Sequence, residues 1–492
     1  MTMTELHQLS ARALARAIAT GETGSRAALD HYLERIERLG SPINAVIALD
    51  AEGARERADA ADAAIARGES WGPLHGVPMT VKDTYEVRGL PTVVGEPKLR
   101  DYVSDRDAVA VARLRAAGAV IFGKTNTPRL AQDVQTSNPV HGTTHNPWNH
   151  DRTPGGSSGG AAAALAAGLS ALEIGSDLAG SIRTPASWCG VYGHKASYGL
   201  IPMRGHVPGP PGTRAEPDLC VAGPLARSAD DLGLALEVLA GPDAVDATVW
   251  SARLPAPGPT TFGDFRVAHC FDHAFCPVAS AVRQRLEDAL ETARRAGARV
   301  AAIDDLPGGF ETGYDTYDRL LNGMVGAAIP DKLYAKARRG ARFLGLAGRD
   351  KGPGTLASFT RRATTSHRDW MVANEARHRL RETWHEFFRD CDVLLLPSVC
   401  VPAIAHDHSG NVLSRRIDVD GRSRGYTDLF RWIAPATVAG LPATSAPVGV
   451  TAAGLPVGLQ IVADYGRDTT AIAFAQHLAA AMGGFSAPPT FA

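Results

Sequence analysis

Apolar residues in the first forty positions recur at helical spacing. Residues 6–19 and 26–39 each gather them on one face, with Gly21 and Gly24 marking the break between two helices. The rhythm then changes to short apolar runs. Residues 45–48, 79–81, 120–122 and 171–174 read as strands, interleaved with alanine-rich helical stretches such as 109–117, which Gly118 terminates. This alternation predicts an α/β protein built in layers. Further along, 282–296 and most of 314–389 return to helical spacing. Between the two halves, residues 202–213 form a loop rich in proline and glycine. Long loops of this kind shape active sites, and the expectation is a place at a pocket rim.

The segment 153–198 stands apart from this pattern. Ser157 and Ser181 each sit in a glycine-rich turn, and between them lie an alanine-rich helix and a short apolar strand. Two such turns describe a pocket lined largely by main chain, with N–H groups left free. The ligand suited to those donors is the oxyanion formed when a nucleophile attacks an amide or ester carbonyl.

Composition narrows the class. The chain has 492 residues, 45% of them hydrophobic, enough for a large core. With 51 basic against 52 acidic residues and a net charge of −1, nothing pulls it toward nucleic acid or an anionic membrane, and a small uncharged partner is expected. Cys189, Cys220, Cys270, Cys276, Cys391 and Cys400 form no C-x-x-C pair, so reduced thiols are expected and neither a zinc site nor a disulfide framework is indicated. The N-terminal residues lack a signal-peptide core, and no apolar run reaches membrane-spanning length, so a cytoplasmic protein is expected.

Three patterns carry competing chemistry. Residues 118–125 match the phosphate-binding motif G-x-x-x-x-G-K-T, but there the glycine ends a helix and the next residues read as the strand itself, the reverse of a phosphate loop. Residues 155–159 match the nucleophile elbow G-x-S-x-G, yet a polar loop precedes them where an elbow needs a strand. His406-Asp407-His408 and His385-Glu386 lack further metal ligands at suitable spacing and read as surface residues. The basic stretch 332–362 likewise reads as a solvated helix face.

Taken singly, Lys82 before Asp83 is an ordinary charged pair, and both serines are ordinary turn residues. Together they fall into a known order. His75-Gly76-Val77-Pro78-Met79-Thr80-Val81-Lys82-Asp83, Gly123-Lys124-Thr125-Asn126, Asn138-Pro139, Asn146-Pro147-Trp148, residues 153–198, Ala439-Gly440-Leu441-Pro442-Ala443 and Gly454-Leu455-Pro456-Val457-Gly458-Leu459-Gln460 resemble, in sequence order, the motifs of the amidase signature family of serine hydrolases. The resemblance extends over most of the chain. It implies the fold of that family, a large mixed twisted β-sheet covered on both faces by α-helices. It also implies one amidase domain over residues 1–492, with a signature core at 60–240, a variable helical insertion at 240–390 that shapes the substrate pocket, and closing strands and a helix at 390–492.

Carried over residue by residue, the resemblance makes Ser181 the nucleophile, Ser157 a bridging serine preceded by a cis peptide bond, and Lys82 the base. Lysine can serve as a base only if burial or a nearby cation brings its pKa toward neutrality, and the apolar run ahead of Lys82 is consistent with burial. Leu178, Ala179, Gly180 and Ser181 would supply the oxyanion N–H groups, with Ala179 standing where a second glycine is common. Asp177 and Arg183 would brace that loop, and Ser158 would assist the lysine. Leu130, Ala131 and Gln132 align with a substrate pocket; the small Ala131 points to aryl or medium-chain acyl groups, with carbamates or esters as side substrates. Tyr314, Tyr317, Tyr426, Phe430 and Trp432 would line the acyl wall or serve as core. The expected activity is hydrolysis of a carboxylic amide C–N bond, as in aryl acylamidases and urethanases, with no metal or cofactor and with a homodimer as the candidate assembly. Two alternatives stand beside it: an A-type amidotransferase subunit releasing ammonia from glutamine, which needs partner subunits, and a silent binding protein that keeps the pocket.

Overall fold

The computed structural model describes residues 3–207, 211–346 and 353–491. Its main sheet has eight strands, in the spatial order Arg299–Ala302, Arg266–His269, Val393–Pro397, Pro456–Val462, Ala443–Val450, Tyr192–Lys195, Val221–Ala226 and Glu173–Asp177. The first three run parallel and the later neighbours antiparallel, so the sheet is mixed, as expected. Strands Val393–Pro397 and Pro456–Val462 are buried at every residue, which explains their nearly unbroken apolar character.

Helices Gly159–Ala166 and Arg183–Cys189 pack on one face of this sheet, and Ala229–Leu239, Ser280–Arg295 and Asp468–Met482 pack on the other. Gly159–Ala166, sequence GGAAAALA, is buried along its whole length. A helix apolar all round has no face for water, and small side chains let it sit tight against its neighbours. A second sheet of three strands, Val46–Leu49, Val120–Thr125 and Pro78–Lys82, lies beside the edge strand Glu173–Asp177.

Where the structure departs from the apolar pattern, the causes are local. Residues 6–19 split into a 3₁₀ turn, Met3–Gln8, and a helix, Ala11–Ala19, because Ser10 Oγ accepts from Ala13 N–H at 3.1 Å and starts the helix there. The strand expected at 171–174 lies at Glu173–Asp177, where buried polar residues find partners that no apolar count anticipates. The region 314–389 resolves into Phe310–Gly326, Asp331–Leu346, Leu356–Ala363 and His367–Phe387. Its basic stretch is exposed at Lys332, Lys336, Arg338 and Arg339, but Arg362 is buried against Asp315 at 2.5 Å and Asp318 at 2.6 Å, which corrects the solvated reading at that position. Part of the 202–213 loop and of this basic stretch lies outside the described residues.

The competing motifs resolve as the local pattern required. Val120–Thr125 is a buried strand, and Lys124 within it pairs with Asp83 at 3.2 Å, leaving no phosphate loop. No strand directly precedes Gly155. Among the described residues no cysteine is disulfide-bonded, no group of three potential ligands is placed to hold a metal ion, and no helix is long and apolar enough to cross a membrane.

Candidate active site

Lys82 ends a strand whose five residues are all buried. The register with Val120–Thr125 slips between Met79 and Thr80. Thr80 and Lys82, two apart, then share one side of the strand. Thr80 Oγ1 donates a short hydrogen bond to Glu173, while Lys82 Nζ lies 2.7 Å from Ser157 Oγ and 3.1 Å from Ser176 Oγ. The Lys82 side chain is 0% exposed, and burial draws its pKa down to about 7 against the opposing pull of Cys220, Asp177 and Glu173. Burial likewise pushes the Glu173 carboxyl up to about 8, although Thr80, Thr125 and the Lys124 charge favour its anion. Asp83 turns away from this site. Its carboxylate pairs with Lys124 and accepts the N–H of Val94 at 2.7 Å, so Lys82-Asp83 is not a solvated pair.

Ser157 follows a cis peptide bond from Gly156, as the resemblance implied. Ser158, next in line, does not reach the lysine. Its N–H donates to the Ser181 carbonyl at 3.0 Å and its hydroxyl faces the Ser176 carbonyl at 3.5 Å. That approach is open because position 175 is glycine; a Cβ there would lie 2.7 Å from Ser158 Oγ. The second hydroxyl on the lysine therefore belongs to Ser176, a correction to the part expected of Ser158. Sequence pattern misses Ser176 because nothing in the chain order shows which residues of strand Glu173–Asp177 face Lys82, and the available signal is a serine directly before Asp177.

Asp177 organises the loop that follows. Its carboxylate accepts the N–H groups of Gly180 at 3.0 Å and Ile182 at 3.1 Å and is gripped by Arg183 Nε at 3.0 Å and Nη2 at 2.8 Å. Burial works to raise the Asp177 pKa, and the Arg183 charge and hydrogen bonds overcome it, holding the carboxyl down to about 2. Arg183, itself 0% exposed, also donates to Ile433 O at 2.8 Å, Gln460 Oε1 at 2.7 Å and Thr437 Oγ1 at 2.8 Å. The bracing role expected of Asp177 and Arg183 thus has a geometry, one that ties the loop to the helix Ala434–Val438 and to strand Pro456–Val462.

The loop N–H groups divide into two sets. Those of Leu178, Ala179 and Ser181 have no hydrogen-bond partner among the described residues. Gly180 is different from the expectation, because its positive φ of 86° turns its N–H into Asp177. Ala179 lies outside the left-handed region, so its Cβ brings no strain. The Leu178 carbonyl accepts from Tyr317 Oη at 3.2 Å, joining helix Phe310–Gly326 to the same loop. Ser181 is half-buried, and its carbonyl accepts the Ser158 N–H.

Leu130 and Ala131 form a tight turn in which both residues have positive φ, 52° and 57°. Leu130 N–H donates to the carbonyl of Val94, also left-handed at φ 52°. Such conformations cost about 1–3 kcal/mol each for non-glycine residues, and the Asp83 carboxylate that holds Val94 N–H anchors this one. The turn therefore hangs from the residue after Lys82, although no hydrogen bond joins it to either serine among the described residues. Gln132 is exposed. Of the aromatics, Tyr314, Tyr317, Tyr426 and Trp432 are buried; Tyr426 Oη donates to Asp133 at 2.8 Å and Arg415 pairs with the same carboxylate at 2.6 Å.

Chemically, a buried amine with a pKa near 7 beside a serine hydroxyl can take a proton, and a loop with three free N–H groups can hold an oxyanion. The Amidase family model matches residues 27–472. The A-type component of the glutamyl-tRNA(Gln) amidotransferase of Anaeromyxobacter dehalogenans (strain 2CP-C) is 33% identical over 509 residues, covering 99% of this chain and 98% of the relative. A solved bacterial aryl acylamidase of the amidase signature enzymes superposes with a TM-score of 0.80 at 25% identity, covering 97% of this chain and 96% of the other. A further solved amidase gives a TM-score of 0.75 at 31% identity over 96% of this chain and 100% of its own. The chain belongs to the amidase signature family.

Proposed function

We propose that this protein hydrolyses a carboxylic amide through an acyl-enzyme on Ser181. The observation that carries the reading is the buried contact of 2.7 Å between Lys82 Nζ and Ser157 Oγ, made by an amine that loses its proton near pH 7. Neutral Lys82 takes the proton of Ser157, Ser157 takes that of Ser181, and the Ser181 oxygen attacks the carbonyl. The N–H groups of Leu178, Ala179 and Ser181 hold the oxyanion, with Gly180 committed to Asp177. The proton returns through Ser157 to the leaving amine, and water then releases the acid.

Aryl or medium-chain amides are the substrate class we favour, with carbamates and related esters as side substrates. Ala131 and the likeness to an aryl acylamidase support this. Helix Phe310–Gly326, whose Tyr317 touches the Leu178 carbonyl, fits an acyl wall. A second reading, an amidotransferase component that releases ammonia from glutamine, is favoured by relatives such as the Anaeromyxobacter protein. A fluorophosphonate probe tests the nucleophile. Labelling of the wild type that disappears in Ser181→Ala is the expected result, and a wild type that takes no label points to a silent binding protein. Hydrolysis of a panel of anilides, aliphatic amides, carbamates and glutamine by the isolated chain separates the two substrate readings, since turnover of glutamine alone, or none without added partners, favours the amidotransferase.

A further inference from the structure

We infer that Asp133 and the buried Arg415 that grips it are positioning residues for the hydrolysis: through residues 130–136 they set the Ser157 hydroxyl against Lys82. This rests on Lys82 and Ser157 acting as the proton relay to Ser181.

Residues 130–136 join the two sides of the lysine–serine contact. At one end, Leu130 N–H donates to Val94 O at 2.8 Å, and Val94 N–H donates at 2.7 Å to the carboxylate of Asp83, the neighbour of Lys82. At the other end, Thr136 Oγ1 donates at 2.8 Å to the carbonyl of Gly155, two residues before Ser157. Between these anchors the backbone of Asp133 and Val134 lies directly on Gly156. A Cβ at position 156 would stand 2.6 Å from Asp133 O and 2.8 Å from the Val134 carbonyl carbon, so only glycine permits this approach. A tilt of the 133–134 backbone is therefore passed to the residue that carries Ser157.

The Asp133 side chain fixes how that backbone is turned. Its Oδ1 accepts the Val134 N–H at 2.7 Å and the Tyr426 hydroxyl at 2.8 Å, and its Oδ2 accepts Arg415 Nη2 at 2.6 Å. Arg415 and Tyr426 flank the hairpin of strands Arg416–Val419 and Arg422–Gly425; Tyr426 N–H donates to Arg415 O at 3.1 Å, and the guanidinium lies 4.4 Å from the centre of the Tyr426 ring. The base of the hairpin thus presents both groups together to one carboxylate. Arg415 Nη1 also donates to Asp407 O at 3.1 Å, and Asp407 exchanges two backbone hydrogen bonds with the Gln135 side chain, at 2.7 and 2.9 Å. The Arg415 side chain is 6% exposed and that of Asp133 23%, so water competes little for the pair, and the planar guanidinium fork holds the carboxylate in one orientation. Among the described residues, Asp133, Arg415 and Tyr426 make no hydrogen bond to Lys82, Ser157 or Ser181, and their influence on the reaction passes through the seat of Ser157.

The test measures the rate constant of fluorophosphonate labelling, kcat and KM for an anilide, and the melting temperature. Arg415→Met should lower the labelling rate constant and kcat together by about 10- to 100-fold, with KM within about threefold, the loss expected when a reacting group is misplaced by about 1 Å. Arg415→Lys keeps the charge without the fork and should recover part of that loss. Tyr426→Phe removes only a hydroxyl from the same carboxylate, so it gives a smaller loss of the same kind, about threefold, if the methionine variant folds poorly. In a Ser157→Ala background, Arg415→Met should cost nothing further in labelling rate. A purely structural role would lower the melting temperature and the fraction of molecules that label while leaving their rate constant unchanged, and that result overturns the inference, as does full additivity with Ser157→Ala. Labelling of Ser157→Ala at the wild-type rate would instead overturn the reading of the relay itself.

Discussion

At the scale of single residues, the proton on Lys82 governs the chemistry. Activity requires the neutral amine, so log kcat/KM should rise with pH and level off above about 7, and the rate of fluorophosphonate labelling should follow the same curve. Lys82→Met should remove at least about 10³-fold of the rate while the chain stays folded, because it deletes the base and puts an apolar side chain of similar length in its buried place. Ser176 acts through the lysine. Its hydroxyl at 3.1 Å holds Nζ on line with Ser157, and Ser176→Ala should lower kcat by about tenfold with KM little changed. A larger effect on KM than on kcat would remove Ser176 from this role.

At the scale of elements, the turn between strand Glu173–Asp177 and helix Arg183–Cys189 depends on one buried ion pair. Asp177 and Arg183 are both 0% exposed and satisfy each other, three backbone N–H groups and three acceptors from distant strands and helices. Breaking such a pair by removing one partner costs about 3–5 kcal/mol, because the other charge is left without compensation. Arg183→Leu should therefore lower the urea midpoint sharply and abolish labelling of Ser181. Tyr317→Phe makes a finer test. It removes only the bond to the Leu178 carbonyl and should cost roughly two- to tenfold in kcat/KM with the urea midpoint nearly unchanged.

For the whole molecule, the buried carboxyl between the two sheets links stability to pH. Glu173 holds its proton up to about 8 in the folded state, whereas in the unfolded chain it releases it at about 4.3. The native state thus binds the extra proton between those values, and the stability Glu173 contributes is full below the lower one and lost as pH rises to the higher. Glu173→Gln has no proton to lose. Its melting temperature should change less between pH 5 and pH 8 than that of the wild type, by roughly 2–4 °C or more. An equal slope in both proteins would place the pH dependence elsewhere.

Much of this was legible in the chain. Apolar periodicity located the early helices and strands to within a few residues, and the glycine-rich turns around Ser157 and Ser181 marked the pocket, because local backbone demands are written in glycine and alanine placement. The order of the motifs paired Lys82 with Ser157, and the structure holds the two 2.7 Å apart. What no local pattern held was the matching of polar groups across the fold. Ser176 on the lysine, Gly180 N–H committed to Asp177, Arg362 buried against two aspartates and His206 laced to the turn after Lys82 all depend on how the chain packs. The sequence by itself determined which elements form and which residue types gather at the turns. Only the tertiary structure decided which hydroxyl, N–H or ring nitrogen finds a partner and which is left free, because burial sets the cost of an unpaired polar atom and burial exists only once the layers have packed.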